Sequence, residues 1–315
     1  MIVAITGGTG TVGKRLVGRH IEAGDVVRVL SRQGQPGLPP GVELHRGDLA
    51  SEPAVLARFA DGADVLYHCA AEIRDPERMM EVNAGGTGRL VTAAQGRVGR
   101  WVQLGSVAVY GAPEAGVITE DTPLAPIDVY GRSKAEADRL VLGTAERGAF
   151  AARILRLAKV FGAGTESANN EILFRLFALI DRGLFFFIGP PGALTHYVHM
   201  ENVVDALVRC GRSAGPESRV YNLSDDSPIE RFVAEIAGAL GKSAPVLRLP
   251  ERPVRWAARM CGLIPGSPLD DKRVAALVNR ASFPITRARD ELGYTHRVPV
   301  AAGVRELVSA WQARR

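Results

Sequence analysis

What the chain lacks narrows its class first. Its 315 residues contain only three cysteines, Cys69, Cys210 and Cys261, scattered without metal-ligand spacing. Nothing therefore points to a disulfide scaffold or a zinc site, and a reducing cytoplasm is the expected setting. No apolar run is long enough to span a bilayer, because "ILFRLFALI" and "LFFFIG" are broken by Arg175, Asp181, Arg182 and Gly183. The opening "MIVAITGG" already reads as a strand, so no signal peptide is expected. The net charge of +5 and pI near 9.3 come from cations dispersed among acids, with no basic run and no aromatic interleaving. Neither nucleic acid nor a membrane is the expected partner. Internal repeats and low-complexity tracts are absent too.

What is present is a globular composition, 46% hydrophobic and 23% charged, with strands alternating with helices along the first half. "MIVAIT", "DVVRVLS", "VELHRGDL", "DVLYHCAA" and "RWVQLGS" read as five strands and "AARILRLAKVFG" as a sixth. Between them lie helical stretches such as "VGKRLVGRHIEAG", "EPAVLARFADG" and "NAGGTGRLVTAAQ". This order predicts an α/β fold, a Rossmann-type doubly wound parallel sheet with right-handed crossovers. The pattern changes after Gly162. A dinucleotide-binding domain is expected over 1–162, completed by segments near 197–224, with a smaller C-terminal substrate lobe formed by 163–196 and 225–315. Pro-rich connections such as "LPERP" and "LIPGSP" fall in that lobe.

The loop "TGGTGTVG" joins the first strand to the first helix, with Gly7, Gly10 and Gly13 spaced three apart and Thr11 and Val12 at the helix start. Glycines here permit a tight turn and a close backbone approach to a pyrophosphate, which the helix N-terminus then faces. The second strand ends in Ser31 and Arg32 rather than an acid. An uncharged Ser followed by a guanidinium suits a 2′-phosphate, so NADP is favoured and NAD possible.

The G-x-x-G-x-x-G spacing resembles the short-chain dehydrogenase/reductase superfamily, and "GDL", "HCAA" and "VNAGGTGRL" follow in the same order. The likeness is to the extended branch, the NAD-dependent epimerase/dehydratase family, and "YVHMENVVDA" and "TRARDELGY" extend it over nearly the whole chain. The resemblance implies that Asp48 and Leu49 face the adenine. It also implies that Cys69, Ala70, Ala71 and Ala158 line the cofactor, and that Asn83 opens a helix beside it. Near mid-chain, "VYGRSKAEAD" places Tyr130 four residues before Lys134, on one face of a helix. With Ser106 of "GSVAVYG", four residues before Tyr110, they match the family's catalytic set. Tyr130 would exchange the proton, and Ser106 would hold the reacting oxygen. Lys134 would hold the nicotinamide ribose and, with the oxidised ring, favour the phenolate. The family commonly dimerises through the helices after Asn83 and Tyr130, so a homodimer with Ala137, Leu140 and Val141 on its face is expected.

The substrate is less defined. Family dehydratases carry an acid pair after the Ser/Thr position, where Val107 and Ala108 stand. Family sugar epimerases usually carry Asn and Arg to hold the nucleotide diphosphate, where this chain has Lys159 and Thr195. "GRSKAEADRLVL", "FFFIG" and "YVHMENVVDAL" are more similar to hydroxysteroid-dehydrogenase-like and dihydroflavonol-reductase-like members. The leading reading is an NAD(P)-dependent oxidoreductase acting on a secondary alcohol or ketone. A nucleotide-sugar epimerase or 4-ketoreductase comes second. A non-catalytic dinucleotide sensor comes last, since Tyr130 and Lys134 are both present. His68, His196 and His199 read as structural, and the "LFFFI" aromatics as core.

Overall fold

The computed structural model describes residues 1–34, 37–164, 168–215, 217–261 and 271–314, with the side chains of Ala168, Cys261 and Lys272 outside that description. The expected "LIPGSP" connection also lies outside the described residues.

Seven parallel strands form the main sheet: β1 (Ile2–Thr6), β2 (Val26–Ser31), β3 (Glu43–Arg46), β4 (Ala63–His68), β5 (Val98–Ser106), β7 (Ala151–Leu157) and β11 (Arg219–Leu223), while β6 (Ala115–Val117) lies outside it. Their order is β11-β7-β5-β4-β1-β2-β3. Helices cover both faces, so the central strands are apolar and buried along their length rather than alternating. One face buries Val3, Ile5, Leu155 and Leu157 under α1 (Thr11–Glu22) and α7 (Met200–Arg212). The other buries Ala4, Leu66, Trp101 and Ile154. There the sheet meets α2 (Pro53–Ala60), α4 (Gly86–Ala94) and α5 (Val129–Ala145), with the short α3 (Pro76–Met79) preceding α4. Strand order reverses between β1 and β4, which opens a crevice at their carboxyl ends, Thr6 and His68.

The sixth predicted strand is two strands in two sheets. At Ala158, whose N–H bonds the Leu223 carbonyl (2.9 Å), the chain leaves β7 and continues as β8 (Lys159–Phe161). A small sheet, β12-β10-β8, then joins β8 to β10 (Leu194–His199) and β12 (Asp225–Pro228). Around it, α6 (Ala168–Asp181), β9 (Phe187–Ile188), α8 (Ile229–Ala239) and the helix Val300–Gln312 enclose a second core containing Phe177, Phe187, Tyr197, Phe232 and Trp311. The "LFFFI" aromatics at Phe185 and Phe187 are core, as their composition suggests.

Candidate active site

The first strand delivers the glycine loop into the crevice. Gly7 has φ of +67°, and a Cβ there would lie 2.7 Å from the Ala70 nitrogen. A Cβ on Gly13 would meet the Gly7 carbonyl oxygen at 2.1 Å, so only glycine lets the helix start this close to the loop. Gly10 is the N-cap of α1, with no side-chain cap and no acid in the first turn. Its N–H bonds the Gly7 carbonyl at 2.9 Å. The next amides, from Thr11 and Val12 onward, belong to an uncapped helix start suited to an anion.

Around the loop stand the other predicted cofactor residues. Ser31 is buried at the end of β2, its hydroxyl donating to the Gln33 carbonyl (2.7 Å), and Arg32 is exposed beside it. The Asp48 carboxylate accepts from the Ala50 N–H (2.9 Å), which shapes the loop that buries Leu49. Cys69 and Ala70 are half-buried, Ala71 is exposed, and burial pushes the Cys69 thiol up to about 12.

Asn83 does not open a helix. It is buried inside a π-helical turn, Met80–Gly85, between α3 and α4. Its side chain accepts from the Glu72 N–H (2.7 Å) and donates to the Glu72 carbonyl (3.0 Å) and to Ser133 Oγ (3.0 Å). Ser133 Oγ in turn donates to the Tyr130 carbonyl (2.8 Å). Below Asn83, the Thr87 hydroxyl donates to the Asn83 carbonyl (2.5 Å) and lies 2.9 Å from His68 Nε2. Nε2 must therefore carry the proton, and Nδ1 accepts from the Thr6 hydroxyl at 2.6 Å. His68 is structural, and burial holds its pKa down to about 3.

The Ser comes from the end of β5, and the Tyr and Lys from the start of α5. Ser106 ends β5 and caps the 3-10 turn Val107–Tyr110, accepting from the Ala108 N–H (3.2 Å). Asp128 caps α5 by accepting from the Gly131 N–H (2.7 Å). Gly131 lets α5 rest on the 3-10 turn, since a Cβ there would lie 2.6 Å from the Ala108 carbonyl oxygen. The packing brings the Tyr130 phenol close to Ser106. Lys134 is buried, its Nζ donating to the Leu104 carbonyl (2.6 Å).

The expected lowering of the Tyr130 pKa by Lys134 is not what the protein alone produces. Burial holds the phenol above the usual tyrosine range, Ser106 opposes, and Asp128 and Asp138 add to the rise. The Lys134 amine is itself held below the usual lysine range by burial, against the nearby Asp138 carboxylate. The sequence reading missed Asp138. It is fully buried on α5 and accepts from Arg156 Nε of β7 (3.0 Å), whose NH1 donates to Tyr110 OH (2.8 Å). Tyr110 OH donates onward to Asn222 (2.9 Å). The signal was Arg156 within the otherwise apolar "ILRLA", a buried charge that requires a partner.

The expected dimer face is also corrected. Ala137 and Val141 are buried within their own chain, because α5 turns this side to the sheet and α4. His196 bridges Asp226 (3.0 Å) and Asn279 (3.2 Å), and His199 caps α7 by accepting from the Glu201 N–H (3.3 Å), as structural residues do.

A glycine cradle at the switch point and a Ser-Tyr-Lys cluster beside it agree with the match of residues 3–224 to the NAD dependent epimerase/dehydratase family. The chain belongs to that family. It is an enzyme of the NAD(P)-dependent, extended short-chain dehydrogenase/reductase type. It is 29% identical to a dTDP-6-deoxy-L-talose 4-dehydrogenase (NAD(P)(+)) of Kitasatospora kifunensis, over 98% of this chain and 95% of that protein. It is also 29% identical to the 4-hydroxy-2-methyl-3-oxo-4-farnesyl-3,4-dihydroquinoline-1-oxide ketoreductase of Stigmatella aurantiaca, over 98% and 96%. In fold it is similar to UDP-glucuronic acid 4-epimerase from Bacillus cereus, solved with NAD, at a TM-score of 0.74 and 17% identity, covering 100% of this chain and 99% of that one. Among the described residues no helix is long and apolar enough to cross a membrane, and no cluster of acids, His and Cys could hold a metal.

Proposed function

We propose that the protein transfers hydride between a nicotinamide cofactor and a secondary alcohol or ketone, with Tyr130 as general acid/base. The observation that carries this is Ser106 at the carboxyl end of β5 set close to the Tyr130 phenol, whose pKa it lowers, with Lys134 on the same helix. The dinucleotide, when bound, supplies the hydride chemistry. The cradle fits its pyrophosphate because a Cβ at Gly7 or Gly13 would fill the space that the backbone uses. Ser106 orients the reacting oxygen and Tyr130 gives or takes its proton. Lys134 holds the ribose, at an ammonium already fixed to the Leu104 carbonyl.

Within this reading NADP is the cofactor. Arg32 is exposed at the end of β2 and suits a 2′-phosphate, with no acid at Ser31 to repel it. A cytoplasmic homodimer completes the proposal; with Ala137 and Val141 turned inward, its interface would use the outer residues of α4 and α5 instead. A second reading, a nucleotide-sugar epimerase or 4-ketoreductase, is favoured by the full-length likeness to a dTDP-sugar dehydrogenase. Against it, the Thr195 hydroxyl is already donated to the Ser227 carbonyl (3.1 Å).

Fluorescence titration with NADPH and NADH, followed by a ketone and keto-sugar panel read at the NADPH absorbance, tests the reading. NADPH should bind more tightly, and Arg32→Ala should abolish the preference. Equal affinities in the parent protein would remove the argument for NADP, and no hydride transfer to any carbonyl would remove the ketone-reductase reading.

A further inference from the structure

The amino ends of the sheet, remote from the crevice, carry arginines that the chemistry above does not use. Arg100, Arg153 and Arg219 lie on the neighbouring strands β5, β7 and β11, and Arg153 and Arg219 are partners in register. Leu157, level with Ser106, is four residues on from Arg153, so roughly 13 Å of strand separates this end from the catalytic serine.

Arg153 is 3% exposed. It donates to Ser213 Oγ (3.2 Å) and to the carbonyls of Ala214 (3.2 Å) and Gly215 (3.1 Å), in the loop after α7. Arg100 donates to the carbonyls of Gly211 (2.8 Å) and Gly215 (3.2 Å). Among the described residues neither guanidinium is paired with a carboxylate. Cations side by side on a sheet repel, so this end holds positive charge that its partners leave uncancelled.

The loop, with β7, β11, the end of α7 and the helix Thr286–Leu292, walls a cavity of about 730 Å³, the size of a small-molecule site. Four arginines, Arg153, Arg209, Arg212 and Arg219, line it against two glutamates, Glu217 and Glu291, a surplus of two positive charges. Asp205 and Asp25 stand behind Arg209 (2.7 Å) and Arg212 (3.4 Å), but Arg100 and Arg297, the latter 3.7 Å from Asp205, offset them. Both glutamates are held by Arg219, and Glu291 also accepts from Tyr221 OH (3.0 Å). The free donors are on α7: Nη2 of Arg209 and Nε and Nη1 of Arg212 make no hydrogen bond to a described residue. Three residues apart in the last turn, the two guanidiniums can meet at one point. Basic residues also suit a helix C-terminus, but that effect requires neither the cavity nor the strand arginines.

We propose that this cavity is a second ligand site, which takes a small organic phosphate as its dianion. A phosphate gathers two negative charges and three acceptor oxygens at one point, matching the charge surplus and the converging guanidiniums. A dicarboxylate divides its charge between two ends. Tyr221 and Leu292, also in the lining, offer an apolar wall to the organic part.

Calorimetric titration at pH 8, in excess NADPH to occupy the glycine cradle, tests this with glucose 6-phosphate and glycerol 3-phosphate. Glucose 6-sulfate and malonate serve as the singly charged and the two-ended comparisons. Both phosphates should bind, and glucose 6-phosphate should bind about tenfold more tightly than the sulfate. Arg209→Gln and Arg212→Gln, at partly exposed side chains, should each weaken the phosphates about tenfold. Arg289→Gln removes the same charge from an exposed position of the helix Thr286–Leu292 and should change nothing. The proposal is overturned if neither phosphate binds, if the sulfate or malonate binds as tightly as glucose 6-phosphate, if both cavity variants keep the parental affinity, or if Arg289→Gln weakens binding as much as they do.

Discussion

Tyr130 sits where its proton is held tightly, by burial and by two carboxylates, with Ser106 pulling the other way. Tyr130→Phe retains the ring and its packing, so fold and cofactor affinity should persist while turnover falls by about 10²–10⁴-fold. Steady-state assays on a ketone found in the panel check this, and a folded variant working at the parental rate would refute the role. Lys134→Met should behave differently, losing turnover and cofactor affinity together, because the proposed role has the ammonium serve both. The pair was legible in the sequence from its spacing and its company. What surrounds it was not, since Lys134 is held by Leu104 of β5, Asp138 by Arg156 of β7 and Ser133 by Asn83 of the π-helical turn, and no local pattern links those segments. Asp138 is the clearest case. Asp138→Asn leaves Arg156 buried without its charge partner and should destabilise the protein by about 3–5 kcal/mol in urea unfolding.

At the scale of elements, the start of α5 decides whether the site exists. Gly131→Ala would place a methyl 2.6 Å from a backbone oxygen that cannot swing aside, so the helix must lift from the 3-10 turn. The cost should be about 1–3 kcal/mol, with turnover falling further than stability because Tyr130 withdraws from Ser106. Urea unfolding and assay of the same preparation separate the two effects; unchanged turnover would show that the contact does not set the geometry. The first five strands and the glycine loop were legible because buried parallel strands are short apolar runs with turn residues at their ends. The split at Ala158 was not, because "LRLAKVFG" is apolar on both sides of the break and only a bond to Leu223, on a strand more than sixty residues later, moves the chain between sheets. Asn83 misled for a related reason. Asn is a common helix cap, but here the π turn gives its side chain to Glu72 and Ser133, two partners remote in sequence.

Across the whole molecule, one buried chain of hydrogen bonds ties the glycine-loop strand to the catalytic helix. It runs from Thr6 through His68 and Thr87 to Asn83, and on through Ser133 to the Tyr130 carbonyl. Its centre is an imidazole that must stay neutral to accept from Thr6, and this gives the fold an acid limit. Above pH 6.5, the ordinary histidine value, His68 is neutral in folded and unfolded chains alike and contributes no pH dependence. Below it the unfolded chain takes up a proton that the folded chain refuses until about pH 3, so stability falls as pH falls through that window. From pH 7.5 to 5.5 the loss assigned to His68 is about 1.4 kcal/mol. His20 and His199 are shifted in the same direction, with burial the largest cause in each, so the parent protein should lose more than this in total. His68→Gln retains an acceptor and a donor but cannot titrate. Urea unfolding at the two pH values should show the variant less stable at pH 7.5, yet losing about 1.4 kcal/mol less than the parent on acidification. Equal losses in the two proteins would mean that His68 already carries a second proton in the folded state, and the direction of the Thr6–His68 hydrogen bond would then have to be reversed.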